Sequence, residues 1–146
     1  MGNVVDKRRL TPGSILCMDS PVLICSGWQA YEKAVITAGY QNISLNLPLA
    51  KLLVCENIKN ISVNLTSSVI RLIPKRVSIY LTDYEMLFNP SYSLDIIRLF
   101  IEISRYNRLV VKWCGGFDGH TLTYAEPGYE DYAAYKVRDY EITCVY

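Results

Sequence analysis

Strand-like and helix-like segments alternate along this chain, and the alternation limits its fold more than any other feature. Five short runs are rich in branched or aromatic residues and are bounded by turn formers, which is typical of strands. They cover residues 21–25, 42–47, 77–81, 109–113 and 141–146. Helical patterns separate the first four runs. Because a helix between two strands carries the chain back across the sheet, we predict an α/β fold with a mostly parallel five-stranded sheet and helices on both faces.

The helix boundaries are predicted from residues that start or stop a helical turn. Gly39 and Pro74 each end an apolar pattern, and Pro48 occupies a first-turn position. Ile61 is the first residue of the apolar stripe in the third helical pattern. The predicted helices are residues 31–38, 48–55 and 61–73, followed by a fourth helix capped by Ser93.

The composition is that of one folded domain without a strong charge. Hydrophobic residues make up 51% of the 146 positions, which predicts a single domain over residues 1–146, with residues 1–14 as a flexible or peripheral segment. Fifteen basic and fourteen acidic residues leave a net charge of +1, so no overall field recruits a polyanion. The pair Lys75 and Arg76 reads as a solvated turn, and nucleic acid binding is not indicated.

The five cysteines are widely spaced and form no C-x-x-C pair, and the chain has one histidine. Disulfide and zinc frameworks are therefore not predicted, and a reducing cytoplasm suits the chain best. No apolar run approaches the ~20 residues that span a bilayer, and no signal-peptide core follows the charged N-terminus. We expect a cytoplasmic protein without a membrane segment.

Residues 27–34 keep the spacing of a Walker A loop, G-x-x-x-x-G-K-[ST], but retain only its first glycine and its lysine. They follow the first predicted strand, where a phosphate loop lies. Gly27 and Lys33 are thus candidate nucleotide-binding residues. Glu32 would bring a carboxylate into the phosphate cradle and Ala34 lacks the hydroxyl that holds Mg²⁺, so we expect weak or absent nucleotide binding. The alternative is that so short a pattern persists by chance.

The third predicted strand ends in two carboxylates, Asp83 and Glu85. In P-loop NTPases an Asp at this position orders Mg²⁺ and a nearby Glu polarises water, so the pair is typical of a Walker B strand. Asp also favours turns, so either residue could simply cap or face solvent. The order of the two motifs favours P-loop ancestry, with Asp83 and Glu85 as candidate catalytic residues.

Several downstream segments are distinctive in their order. They are DYEMLFNP at residues 83–90, SR at 104–105, WCGG at 113–116 and LTYAEPGYEDY at 122–132, with NL at 46–47 upstream. Together they resemble the small P-loop proteins (BrxF-like) of type III bacteriophage-exclusion (BREX) defence systems. The 122–132 block is the most specific part of the resemblance.

The resemblance implies a P-loop NTPase-like domain in which the fourth predicted strand lies between the Walker A-like and Walker B-like strands. It also implies ATP and Mg²⁺ as cofactors, and other phage-defence proteins as partners. Intact relatives carry a full glycine-rich loop, and this chain departs from it at Glu32 and Ala34. The implied ATPase activity is therefore in question.

Tyrosines are concentrated near the C-terminus. Six of the twelve lie in the last 23 residues, and Tyr124, Tyr129 and Tyr132 are candidate interface residues because tyrosine anchors protein contacts. The alternative is that these rings pack a loop onto the sheet.

Three functions remain open at this point. The chain could be a weakly catalytic or non-catalytic P-loop-like subunit of a defence assembly, acting through protein contacts and able to form a homo-oligomer. It could be an active ATPase with a divergent loop. It could also be an α/β interaction module that does not descend from a nucleotide-binding protein.

Overall fold

The computed structural model describes the backbone of residues 2–55 and 58–146 and the side chains of residues 2–54 and 65–146. Nine strands and four α-helices occur in this part of the chain. The strands are Asn3–Val5 (β1), Val22–Ile24 (β2), Gln41–Ser44 (β3), Ile79–Thr82 (β4), Leu109–Lys112 (β5), Gly116–Phe117 (β6), Thr121–Tyr124 (β7), Ala133–Lys136 (β8) and Thr143–Val145 (β9). The helices are Trp28–Thr37 (α1), Asn46–Cys55 (α2), Ile58–Leu72 (α3) and Ile96–Ser104 (α4).

The main sheet has six strands in the order β1-β9-β2-β5-β4-β3, and all its pairings are parallel. The predicted α/β fold with a parallel sheet is confirmed. The predicted number of five strands is wrong, because β1 adds a sixth strand from the N-terminal segment. This strand is three residues long, too short to show a period in the sequence, and it lies at the sheet edge beside β9.

Alternate residues of the strands point to two separate hydrophobic cores. Leu23, Leu81 and Val111 face a core that α2, α3 and α4 cover. Ile24 and Tyr80 face the other core, which is covered by α1 and by a 3-10 helix at Pro12–Cys17. Continuous burial of a strand on both faces is typical of parallel sheets. Helices on both faces are therefore confirmed.

Three short strands form a second sheet that sequence patterns did not predict. β6, β7 and β8 pair antiparallel in that order. They occupy the region predicted to be a loop carrying the tyrosines. Leu122 of β7 and Tyr135 of β8 are buried against the larger core, so this sheet is packed onto the main one.

Two local predictions need correction. The second strand ends at Ser44, and Asn46 already belongs to α2, so the predicted strand over 42–47 is too long. Ser93 does not cap the fourth helix, because it has a left-handed backbone and ends a 3-10 turn. Asp95 caps α4 instead. The predicted core role of Ile61 lies outside the described side chains.

No helix within the described residues combines the length and the hydropathy needed to cross a membrane.

Candidate functional site

The Walker A-like window does not form a loop. The connection from β2 to α1 consists of Cys25, Ser26 and Gly27, and α1 begins at Trp28. Gly27 has φ 65° and ψ 26°, a left-handed conformation that glycine adopts at little cost. Residues 28–34 are helical, so only the amides of the first turn lack a partner within the helix, and Lys33 lies on the second turn instead of at the end of a loop.

Lys33 lies away from the two candidate carboxylates. Its exposed side chain lines an apolar groove between α1 and the Pro12–Cys17 helix, beside Leu16 and Thr37. Asp83 and Glu85 line a different cavity. The structure therefore does not bring the predicted nucleotide-binding lysine together with the predicted catalytic residues.

Glu32 also lies elsewhere than predicted. Tyr80 is buried in the core beneath α1, and its hydroxyl has no hydrogen-bond partner. Burial raises the pKa of Tyr80, and the negative charge of Glu32 raises it further. The Glu32 carboxylate thus lies close to this hydroxyl. The structure does not place Glu32 in a phosphate cradle, because Glu32 lies on the second turn of α1, close to Tyr80.

A different lysine lies beside Gly27. Lys7 Nζ donates a hydrogen bond to Ser26 Oγ at 3.2 Å. A Cβ placed on Gly27 would lie 3.2 Å from the same Nζ. Sequence reasoning missed this contact, because Lys7 reaches the β2–α1 connection only through the pairing of β1 with β9.

The carboxyl ends of β2, β5 and β4 surround a cavity of about 250 Å³. Open α/β sheets commonly bind ligands at this edge. The cavity lining combines two carboxylates, one lysine, two thiols and two indole rings. These residues are Cys25, Trp28, Asp83, Glu85, Lys112, Trp113, Cys114 and Gly115.

Hydrogen bonds from the last residue of β3 and the first residue of α2 hold both carboxylates. Ser44 Oγ donates to Asp83 Oδ2 at 2.6 Å, and Asn46 Nδ2 donates to Glu85 Oε2 at 3.0 Å. The Asn46 side-chain oxygen also accepts from the amide of Met86 at 3.2 Å. Asp83 has φ 51°, which is uncommon for a residue other than glycine. Asp83 and Glu85 are therefore fixed in place, and sequence reasoning missed Ser44 as a partner.

Tyr84 joins the cavity to the buried core. Its hydroxyl donates to the Lys112 carbonyl at 2.7 Å and accepts from the Cys114 amide at 3.2 Å. The Lys112 ammonium lies 4.1 Å from the centre of the Trp28 ring, a cation–π contact. The lysine of this cavity is thus already engaged by an aromatic face.

The two thiols of the cavity are poor nucleophiles. Burial raises the pKa of Cys114 to about 11. The pKa of Cys25 is raised by its contact with the Cys144 thiol and by burial. Because the thiolate is the reactive form, both groups stay protonated and unreactive at neutral pH.

The residues at this edge do not fit Mg-ATP bound in the Walker A manner. The β2–α1 connection has too few residues to wrap a phosphate, and Lys33 is on another surface. Across the described residues, no group of three or more His, Cys, Asp or Glu is placed to hold a metal ion. The arrangement offers two fixed carboxylates and no nucleophile.

The candidate interface tyrosines divide into two groups. Tyr124 is partly buried and stacks on Phe88, with ring centres 3.8 Å apart. It therefore packs the small sheet onto the main core. Tyr129 is 65% exposed and Tyr132 is 39% exposed, in the β7–β8 connection. These two remain candidates for protein contact.

The same connection carries negative charge. Glu126, Glu130 and Asp131 lie on it, and none of them forms an ion pair with a described residue. Residues 124–133 contain no lysine or arginine. We refer to residues 125–132 as the acidic tip.

The strand order matches the order that the resemblance implies. β5 lies between β2, which precedes Gly27, and β4, which precedes Asp83. Searches against protein-family models, curated proteins and solved structures found no match to this chain.

Proposed function

We propose that this chain is a P-loop-derived subunit of a bacterial phage-defence assembly of the BREX type, and that it acts in the cytoplasm through protein contacts without turning over ATP. The observation that carries the proposal is the strand order β9-β2-β5-β4-β3. It puts the strand before Gly27 and the strand before Asp83 on either side of β5. This order, together with two carboxylates after β4, supports P-loop ancestry over an interaction module without it.

The position of the acidic tip supports a role in protein contact. The densest part of the BREX resemblance, residues 122–132, includes this exposed segment. Exposed tyrosines are frequent anchors of protein interfaces. Tyr129 and Tyr132 are both exposed. A resemblance concentrated on a surface segment is expected when that surface binds a partner.

The geometry of the β2–α1 connection supports the absence of ATP turnover. A Walker A site gains its affinity from several backbone amides and a lysine, each contact with a charged group contributing roughly 1.5–3 kcal/mol. Losing two such contacts weakens binding by about two to four powers of ten. We therefore expect calorimetry to detect no binding of Mg-ATP at micromolar concentration.

The active-ATPase alternative gives the opposite result in the same measurement. Micromolar affinity for Mg-ATP, together with steady hydrolysis that Asp83→Ala abolishes, would contradict the proposal. Lys33→Gln is the matched control, because Lys33 lies outside the cavity and its removal leaves the cavity charge unchanged.

The interface is tested with Tyr129→Ala and Tyr132→Ala. If these side chains are contact anchors, each substitution weakens the binding free energy for the partner by about 1–3 kcal/mol. Less of the partner should then co-purify with each variant when candidate defence proteins are tested. The melting temperature should stay near that of the wild type, because both rings are exposed.

Tyr146→Ala is the control variant, since this tyrosine is also exposed but lies outside the acidic tip. Retention of every partner by both stable tip variants would rule out the acidic tip as the interface.

A further inference from the structure

The edge of the main sheet opposite to Asp83 carries a second cavity, with a volume of about 440 Å³. Two connections form most of it, the one that enters β4 and the one that enters β5. Its lining includes Arg76, Ser78, Tyr106, Asn107 and Arg108. None of these residues belongs to the site described above.

Four exposed cations lie on these two connections. They are Lys75, Arg76, Arg105 and Arg108. We call this group, together with Tyr106, the basic edge. In the sequence, Lys75 and Arg76 form an isolated pair, because the other two arginines follow about thirty residues later. The parallel pairing of β4 with β5 brings both groups to one edge.

Hydrogen bonds join the two connections into one unit. The Arg76 amide donates to the Tyr106 carbonyl at 3.1 Å, and the Val77 amide donates to Asn107 Oδ1 at 3.2 Å. Arg76 has φ 65°. A left-handed arginine is uncommon and is retained only where surrounding contacts hold it. The spacing of the cations is thus set by the fold.

The charge of the basic edge is only partly balanced. Arg105 pairs with Glu102 at 3.3 Å. Arg108 donates to the carbonyls of Leu16 and Met18 at 2.7 and 3.1 Å, and Asp19 lines the same cavity. Neither Lys75 nor Arg76 has a carboxylate within ion-pair distance among the described residues. Two cations therefore remain available to an anion.

An exposed aromatic ring lies among these cations. Tyr106 is 50% exposed, and the Lys75 ammonium lies 4.9 Å from its ring centre.

Cations at the C-terminal end of a helix also stabilise the helix dipole, which accounts for Arg105 at the end of α4. The dipole does not account for Lys75 and Arg76, which lie beyond the end of α3, or for an exposed ring beside them.

We propose that the basic edge binds single-stranded nucleic acid. Arg76 would contact a phosphate, and an unstacked base would stack on Tyr106 in place of the Lys75 ammonium, which would move from the ring to a second phosphate. Proteins that bind single strands combine a basic groove with aromatic platforms in this way. A duplex is disfavoured because its bases are stacked on one another and offer no free face to the ring. This inference does not depend on the partner proteins of the proposed function.

The test is fluorescence anisotropy of a labelled oligothymidine of about 20 nucleotides, long enough for a typical site, with the full chain. Affinity should fall as salt rises from about 50 to 200 mM, because binding releases counterions. A labelled duplex of equal length should bind more weakly than the single strand.

Two variants separate the contributions of charge and stacking. Arg76→Gly removes the cation and keeps the left-handed backbone, since glycine adopts φ near 65° freely. It should lower the slope of log affinity against log salt by about 0.7. Tyr106→Leu should weaken binding roughly 5- to 100-fold and leave that slope unchanged. Lys51→Gln, an exposed cation on α2, is the matched control and should bind like the wild type.

Three results would overturn the proposal. They are the absence of salt-dependent binding by the wild type, an affinity for the duplex equal to or above that for the single strand, and variants of the basic edge that bind as tightly as Lys51→Gln. Circular dichroism shows whether each variant is folded. Only a loss of binding by a folded variant supports the proposal.

Discussion

At the scale of single residues, two buried tyrosines four residues apart in the chain differ in their hydrogen bonds. Tyr84 makes two hydrogen bonds through its hydroxyl, one to the Lys112 carbonyl and one from the Cys114 amide. The Tyr80 hydroxyl is buried without a hydrogen-bond partner. A buried polar group that is bonded stabilises the fold, whereas an unbonded one lowers stability.

This contrast predicts different effects of the same substitution. Tyr84→Phe leaves two backbone groups without their partner and should lower the free energy of unfolding by about 1–3 kcal/mol. Tyr80→Phe removes an unsatisfied hydroxyl and should leave stability unchanged or raise it. Urea unfolding of both variants provides the measurement. Equal destabilisation by the two substitutions would contradict the assigned hydrogen bonds.

At the scale of elements, backbone conformation decides which residue caps the N-terminus of α4. Asp95 Oδ1 accepts from the amides of Ile97 and Arg98 at 3.1 and 3.2 Å. Its other oxygen accepts from the Tyr140 hydroxyl at 2.8 Å. Ser93 is a good cap former by residue type, but its φ of 48° places it in the preceding turn. The cap therefore also connects α4 to the chain before β9.

Asp95→Ala should lower the free energy of unfolding by roughly 1–3 kcal/mol, because it removes the cap and the bond to Tyr140. Ser93→Gly should change stability by no more than about 0.5 kcal/mol, since glycine accepts a positive φ. Thermal unfolding followed by circular dichroism compares them. If Ser93→Gly were the more damaging change, Ser93 would be the functional cap.

At the scale of the whole molecule, the chain that leaves β5 enters the small sheet with almost no space between its backbone and that of β7. A Cβ on Gly115 would collide with the Thr123 carbonyl oxygen and would lie 3.2 Å from the Tyr124 Cα. Both obstacles are backbone atoms, which move only if the small sheet moves. Gly115 is thus the point where the chain from β5 enters the small sheet beside β7.

Gly115→Ala should push the start of β6 away from β7 and cost about 1–3 kcal/mol, as overpacking of a core does. Gly13→Ala is the control, because no atom outside its chain neighbours lies within 4 Å of the added Cβ. It should be neutral or slightly stabilising. Near-ultraviolet circular dichroism reports the aromatic cluster between the sheets. An unchanged spectrum together with an unchanged melting temperature in Gly115→Ala would contradict this packing.

Periodicity alone determined the α/β class, four of the strands flanking the site and the helices between them. These features depend on neighbouring residues, so a local pattern carries them. The positions of Asp83 and Glu85 at the end of a buried strand were also predictable, because a polar residue after an apolar run marks the strand end.

Only the tertiary structure decided what surrounds those positions. Lys33 has the correct spacing for a phosphate loop, but α1 begins five residues earlier and turns its side chain onto another surface. Ser44 reaches Asp83, and Lys7 reaches Gly27, through strand pairings that join distant segments. A motif specifies residue types and spacing, whereas a site depends on the backbone path and on contacts between residues far apart in the chain, which the linear order does not contain.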